Sequence, residues 1–321
     1  MNILIAGGAG YIGSVVAEIL EKEGYSLIII DDLRDGNIKA ISPNVKFYNN
    51  NFGDTEVLKD IFLNNKIDIV FHFAASANVP HSKINPLEYF ENNVSNTISL
   101  LSSMRDFGVN KIIFSSTAAV YGEPQYTPID EEHPLLPINP YGHSKLMCEQ
   151  IIKDCSFAYG LKYMMFRYFC AAGATSEHGE SRKNETHLIP VVLDTLLDKR
   201  DVVPIFGINF STPDKSGVRD YIHVTDIANA HIKAMTVIDT YCNQTYNLGS
   251  ESGYSVLEVI KKTEELFNKK INFSVQSPRN GDPATLVATC NKAIKQLGWY
   301  PQKTIKDIIL SAYKWRESPK F

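Results

Sequence analysis

Hydrophobic residues fall in short, separate runs along this chain. Residues 2–6 (NILIA) and 26–30 (SLIII) are largely apolar, and the second run stops at Asp31. Between them lie a group of glycines and then Val15-Val16-Ala17-Glu18-Ile19-Leu20, the opening of a helix that Gly24 ends. The order is strand, glycine turn, helix, strand, which is a βαβ unit. Runs that are apolar without alternation suit a parallel sheet covered on both faces. Residues 68–73 (DIVFHF), 111–115 (KIIFS) and 162–168 (KYMMFRY) read as further strands. Helical patterns separate them, over Leu87–Phe107 and from about Ser144 to Tyr159. The expected fold class is therefore α/β, with a Rossmann-type doubly wound parallel sheet built by residues 1–170. Beyond that the pattern loosens, and stretches 171–184 and 209–217 are rich in turn formers. Residues 171–321 are expected to form a smaller mixed α/β domain, part of it packing back on the first.

Composition narrows the function. The chain has 321 residues and is 44% hydrophobic, enough for a sizeable core in one large or two modest domains. Its formal net charge is −4 and no segment is strongly basic. That argues against a nucleic-acid partner and leaves room for a local basic pocket. The five cysteines (Cys148, Cys155, Cys170, Cys242 and Cys290) are odd in number. Their spacing fits neither a zinc site nor a redox pair, so reduced thiols and no metal are expected. The first charged residue is Glu18, but the preceding apolar run is broken by four glycines and has no basic residue before it. This does not suit a signal peptide, and no stretch has membrane-spanning length. A soluble cytoplasmic protein without a membrane partner is expected.

The first candidate site is the loop Gly7-Gly8-Ala9-Gly10-Tyr11-Ile12-Gly13. Glycines let the backbone turn tightly and approach a pyrophosphate, whose charge then meets the N–H groups opening a helix. A glycine-rich turn is a weak signal alone, but here it follows a strand and opens a helix. Asp31 closes the second strand at the distance where a carboxylate accepts from both ribose hydroxyls, favouring NAD over NADP. Arg34 lies close enough to compete with that preference.

The second candidate is Tyr141-Gly142-His143-Ser144-Lys145. At helical spacing Tyr141 and Lys145 share one face. A phenol with a pKa of about 10 needs positive neighbours to act as a base near neutral pH. Such a pair in isolation usually belongs to a surface helix. Ser115-Ser116-Thr117 ends the strand predicted at 111–115, where parallel sheets face their ligand crevice. A Ser/Thr run there is otherwise an ordinary helix cap. The order of glycine loop, hydroxyl run and Tyr/Lys pair favours a dehydrogenase-type site.

With these residues in place, the chain resembles the extended short-chain dehydrogenase/reductase family, and within it the UDP-hexose 4-epimerases. The matching stretches are GGAGYIGS (7–14), HFAA (72–75), ENNV (91–94), FSSTAAVYG (114–122) and YGHSK (141–145). RYF (167–169), HLIP (187–190), GVRDYIHVTD (217–226), YNLGS (246–250) and LGW (297–299) continue the match over almost the whole chain. The resemblance implies an NAD-binding domain over 1–170 and a nucleotide-sugar-binding domain over 171–321. It implies reversible oxidation of a UDP-hexose at C4, with NAD bound and recycled, in a homodimer. Tyr141 would be the base, Lys145 would hold the nicotinamide ribose, and Thr117 would bind the sugar hydroxyl. Gly7, Gly10, Tyr11, Ile12, Gly13, Asp31, Asp32, Asn51, Phe52, Phe73, Ala74, Ala75, Asn93, Ser115 and Phe169 would complete the NAD site. Cys170, His187, Leu188, Phe206, Arg219, Tyr221, Arg279, Asp282 and Leu286 would line the UDP-sugar site. The arginines suit a diphosphate, which needs fixed positive donors.

Several positions depart from the resemblance or refine it. Thr117 is followed by Ala118-Ala119 with no acid until Glu123, whereas the family's dehydratases carry acids there. Cys170 stands where the epimerases usually have an Asn, and a thiol is a weak donor. Asn51 replaces a usual Asp, and its amide oxygen still accepts. Leu286 stands where some epimerases carry a Tyr beside the sugar's 2-position, so an N-acetyl group has more room. The alternatives are another UDP-sugar conversion, such as oxidation or uronate epimerisation, and a non-catalytic NAD-binding regulator. Intact Thr117, Tyr141 and Lys145 speak against the regulator.

Overall fold

The structure is a computed structural model that describes all residues except 183, 184 and 280. The end of the turn-rich stretch 171–184 therefore lies outside the described residues. Seven parallel strands form the main sheet. They are β1 (Asn2–Ala6), β2 (Ser26–Ile30), β3 (Lys46–Tyr48), β4 (Ile69–His72), β5 (Lys111–Thr117), β6 (Lys162–Tyr168) and, far along the chain, a strand at Gln244–Leu248. The spatial order is Gln244–Leu248, β6, β5, β4, β1, β2, β3. Strand order reverses between β1 and β4, so their C-terminal ends open a crevice of the kind that takes ligands in doubly wound sheets. The α/β expectation is borne out.

Helices cover both faces. On one side lie α1 (Tyr11–Lys22) and a helix at Val224–Val237, packed through Val15, Val16, Leu20, Ile227 and Ala234. On the other lie α2 (Thr55–Asn64), α3 (Val79–Ile84) and a long rod. The rod runs from α4 (Pro86–Tyr89) through a π-helical stretch (Phe90–Ser95) into α5 (Asn96–Asp106). Then comes α6 (Pro140–Tyr159). Leu58, Ile61, Leu100, Met104 and Ile152 form the core on this side. Both faces being buried explains why the strands read as unbroken apolar runs.

The C-terminal half adds β7 (Cys170–Ala172), α7 (Leu188–Leu196), β8 (Val203–Phe206) and β9 (Val218–His223). The helix at Val224–Val237 is α8 and the strand at Gln244–Leu248 is β10. β11 (Gly253–Ser255), α9 (Val256–Phe267), β12 (Phe273–Gln276), β13 (Thr285–Leu286), α10 (Asn291–Leu297) and α11 (Ile305–Glu317) follow. β9 pairs with β7, β11 and β13, and β8 pairs with β12. A separate core gathers Ile189, Val192, Ile205, Val259 and Ile308 from α7, β8, α9 and α11.

Three local features differ from the sequence pattern. α6 begins at Pro140, ahead of Ser144, because Asn139 Oδ1 accepts from Gly142 N at 2.8 Å and Pro140 suits the first turn. The helical stretch over Leu87–Phe107 is interrupted by the π-helical segment, which buries Asn92 and Asn93. β3 and α2 have no counterpart in the pattern. β3 is a three-residue edge strand, and α2 is started by Asp54, whose side chain accepts from Glu56 N and Val57 N.

Candidate active site

The glycine loop floors a cavity of about 380 Å³. Gly7 has φ +84°, and a Cβ there would sit 2.5 Å from Ala74 N. A Cβ on Gly13 would sit 2.1 Å from Gly7 O, so close packing of α1 on the loop demands glycine. α1 opens at Gly10 with no side-chain cap and no acid in its first turn, leaving its N–H groups to an anion. Asp31 accepts from Ala9 N at 3.0 Å and Leu33 N at 2.9 Å, which fixes its carboxylate at the end of β2. Burial pushes that carboxyl above its ordinary pKa, against the two backbone hydrogen bonds. Gly7, Gly10, Tyr11, Ile12, Gly13, Asp31, Asp32, Phe52, Phe73, Ala74 and Ala75 line this cavity together.

Two expected cofactor contacts stand off the wall. Asn51 Oδ1 accepts from Gly53 N at 2.8 Å, closing a local turn. Asn93 is buried behind the cavity, where its amide accepts from Ser76 N at 2.7 Å and donates to Ser76 O and Ser144 Oγ at 3.0 Å each. Its side chain is spent holding the 73–77 segment to α6. Asn92, one residue earlier in the π-helical stretch, faces the cavity instead. Arg34 also lines it, with its guanidinium on Asn92 Oδ1 (2.6 Å) and Asp32 Oδ2 (3.1 Å).

Ser115 and Thr117 at the end of β5 meet Tyr141 and Lys145 of α6 in the same cavity. Lys145 is buried, its Nζ donating to Ser115 O at 2.7 Å and lying 4.6 Å from the centre of the Phe114 ring. Burial pushes its ammonium down to about 8, against the pull of Cys148 and Glu149. The Tyr141 hydroxyl lies near that of Thr117. Burial pushes its phenol up, while the Thr117 contact and the Arg182 charge pull it back. The sequence pattern points to Lys145 as the group that lowers this phenol. In the structure Lys145 is turned to the Ser115 carbonyl.

Phe169 and Cys170 lead out of this cavity into a second one of about 340 Å³. Cys170, His187, Leu188, Phe206, Arg219, Tyr221, Arg279 and Asp282 line the second cavity. Tyr11, Cys170, Glu180 and His187 border both. The Arg279 guanidinium stacks 3.7 Å from the centre of the Phe206 ring, a cation–π contact that holds it flat. Arg219 Nη1 donates to Val218 O and Pro283 O at 2.9 Å each. Neither arginine is in an ion pair among the described residues. Burial pushes the Cys170 thiol up to about 11, so it stays protonated. Leu286 sits on β13 opposite Arg219 and packs toward the main core, off the walls of both cavities.

The segment after β7 carries Glu180, Arg182 and Glu185, which the sequence pattern passed over, beside the expected His187. Glu180, Glu185 and His187 bring their donor atoms within 4.8 Å of one another. Arg182 Nε lies 3.6 Å from Glu180 Oε1, inside the first cavity. The signal was present as charges in an otherwise turn-rich stretch, but only the fold brings that stretch over the glycine loop. Tyr11 Oη donating to Gly173 O at 2.6 Å is one tie, and Trp315 Nε1 donating to Glu180 O at 3.0 Å is another.

A family model, the NAD dependent epimerase/dehydratase family, matches residues 3–249. The chain belongs to this family. Family membership agrees with the glycine loop and with the resemblance seen in the motifs. A UDP-glucose 4-epimerase of Lacticaseibacillus casei is 42% identical over 99% of this chain and 97% of its own. The crystal structure of UDP-glucose 4-epimerase from Bifidobacterium longum in complex with NAD+ and UDP has a TM-score of 0.95 at 37% identity, covering 99% of both chains. The UDP-Glc/GlcNAc 4-epimerase of Campylobacter jejuni has a TM-score of 0.86 at 38% identity, covering 98% of this chain and 99% of its own. Among the described residues of this family member, no helix is long and apolar enough to cross a membrane.

Proposed function

We propose that this protein is a UDP-hexose 4-epimerase that interconverts UDP-glucose and UDP-galactose and keeps NAD bound between turnovers. The observation that carries the reading is the convergence of Tyr141, Thr117 and buried Lys145 in the cavity floored by the glycine loop. The uncapped start of α1 suits a pyrophosphate, and the fixed Asp31 carboxylate suits ribose hydroxyls. Phe52, Phe73, Ala74, Ala75 and Phe169 supply apolar walls for the rings. NAD supplies a reversible two-electron acceptor for the sugar's C4.

Thr117 hydrogen-bonds the C4 oxygen. Tyr141 Oη takes the hydroxyl proton as C4 is oxidised and returns it when C4 is reduced. Lys145 grips the nicotinamide ribose through its ammonium. Arg219 and Arg279 hold the diphosphate, and Phe206, Tyr221, Leu188, His187 and Asp282 hold the rest of the nucleotide. Firm binding of the non-reacting UDP retains the intermediate while its sugar turns over. Cys170, a neutral thiol, gives the sugar end a weaker contact than an amide would. Leu286 lies off both cavity walls, so its size gives no support for an N-acetylated substrate; the two-substrate Campylobacter relative is what favours turnover of that pair as well.

The absence of acids after Thr117 favours this reading over elimination chemistry. A homodimer fits the exposed apolar side chains on the helices of the main domain, including Leu87, Ile98, Met147 and Phe157. Free thiols at all five cysteines suit the cytoplasm. The test is to incubate purified protein with UDP-galactose and no added NAD. UDP-glucose should form without net NADH. No product, even after NAD is added, would refute the glucose/galactose assignment.

A further inference from the structure

We propose that Glu149 is a positioning residue for this reaction: through Ser116 and Arg167 it fixes α6 against β5, and so sets Tyr141 and Lys145 relative to Thr117. The inference rests on the epimerase reading above. Tyr141, Lys145 and Glu149 follow at four-residue steps on α6 and so share one face. Three consecutive residues at the end of β5 receive them. Tyr141 meets Thr117, Lys145 Nζ donates to Ser115 O at 2.7 Å, and Ser116 Oγ donates to Glu149 Oε1 at 2.6 Å.

The anchor is deep. Glu149 is 0% exposed, and Ser116 and Arg167 are 2% exposed. Arg167 grips the carboxylate at both oxygens, Nε to Oε1 at 2.9 Å and Nη2 to Oε2 at 2.7 Å. Its Nη1 donates to Tyr121 Oη at 3.0 Å, and that hydroxyl donates to Asn247 Oδ1 at 2.6 Å. One network therefore ties α6 to β5, β6 and β10. A buried ion pair is a poor source of stability, because well-packed apolar residues of the same volume serve as well. What it adds is direction. Two-pronged hydrogen bonds hold a single alignment, which reacting groups need to within about 0.5 Å. The Glu149 charge also helps keep Lys145 protonated.

Two variants test this in the NAD-loaded protein. Ser116→Ala cuts the strand tie and leaves the ion pair whole, so it covers the case in which Glu149→Gln does not fold. The turnover number per bound NAD should fall roughly tenfold in Ser116→Ala and about 100-fold in Glu149→Gln, with KM for UDP-galactose within about threefold. The alkaline limb of the Glu149→Gln pH profile should move to lower pH, because Lys145 loses a negative neighbour. A crystal structure of NAD-bound Ser116→Ala should show Tyr141 displaced from its wild-type place beside Thr117. Turnover within about twofold of wild type, with Tyr141 in its wild-type place, would overturn the proposal. An inactive wild type would refute the epimerase reading instead, and the place of Tyr141 in Ser116→Ala would still judge the positioning role.

Discussion

Removing one oxygen from the site has a calculable effect. Tyr141→Phe keeps the ring, which is half-buried and edge-on to Tyr89 at 6.5 Å, and deletes only the hydroxyl near Thr117. The structural loss is at most one polar contact, about 1 kcal/mol net, or roughly 2–4 °C in thermal midpoint. The chemical loss is larger. A positioned base contributes about 10²–10⁴ in rate, which at 1.36 kcal/mol per tenfold is about 2.7–5.4 kcal/mol of barrier. NAD content should not change, because the glycine loop and Asp31 are untouched. The assay is conversion of UDP-galactose to UDP-glucose per bound NAD, alongside a melting curve. A variant that folds, carries NAD and turns over within about tenfold of wild type would refute Tyr141 as the base.

Three further outcomes follow from the geometry. Gly13→Ala puts a Cβ 2.1 Å from Gly7 O, so the protein should purify with roughly a tenth or less of the wild-type NAD, read by absorbance after denaturation. Arg279→Ala removes the guanidinium stacked on Phe206, and loss of a charge-assisted bond of about 1.5–3 kcal/mol should weaken UDP binding about 10- to 100-fold by calorimetry. Glu18 of α1 is bonded by His178, Thr175 and Lys22. Burial raises its carboxyl pKa, and those three partners outweigh burial and take it down to about 2 from 4.5. A depressed acid contributes stability above its unfolded pKa and loses it as pH falls toward the folded value. The melting-point gap between wild type and Glu18→Gln should therefore be full at pH 7 and shrink between pH 4.5 and 2, and a constant gap would contradict the assignment.

What was legible in the sequence follows the physics of burial and spacing. β1, β2, β4, β5 and β6 stood out because strands covered on both faces carry uninterrupted apolar runs. Tyr141 and Lys145 could be paired because one helical turn separates them. The edge strand β3 was invisible, since three half-exposed residues leave no pattern. The true start of α6 lay in Asn139-Pro140, a cap signal that the apolar period does not contain. That Asn93 turns behind the cavity toward Ser76 and Ser144 was not legible, because motif spacing does not say which way a side chain turns inside a π-helical stretch. The neighbourhood of Glu180, Arg182 and Glu185 depends on a loop reaching across the sheet, and nothing in its own residues encodes that distance.

The central claim is that C4 of the sugar is oxidised and re-reduced inside one site by one bound cofactor. UDP-galactose carrying deuterium at C4, incubated with the protein in ordinary water, tests it most directly. The account predicts UDP-glucose with the deuterium still at C4 and no net NADH. Loss of the label to solvent would contradict it, because the hydrogen would then have left as a proton and not returned from the cofactor.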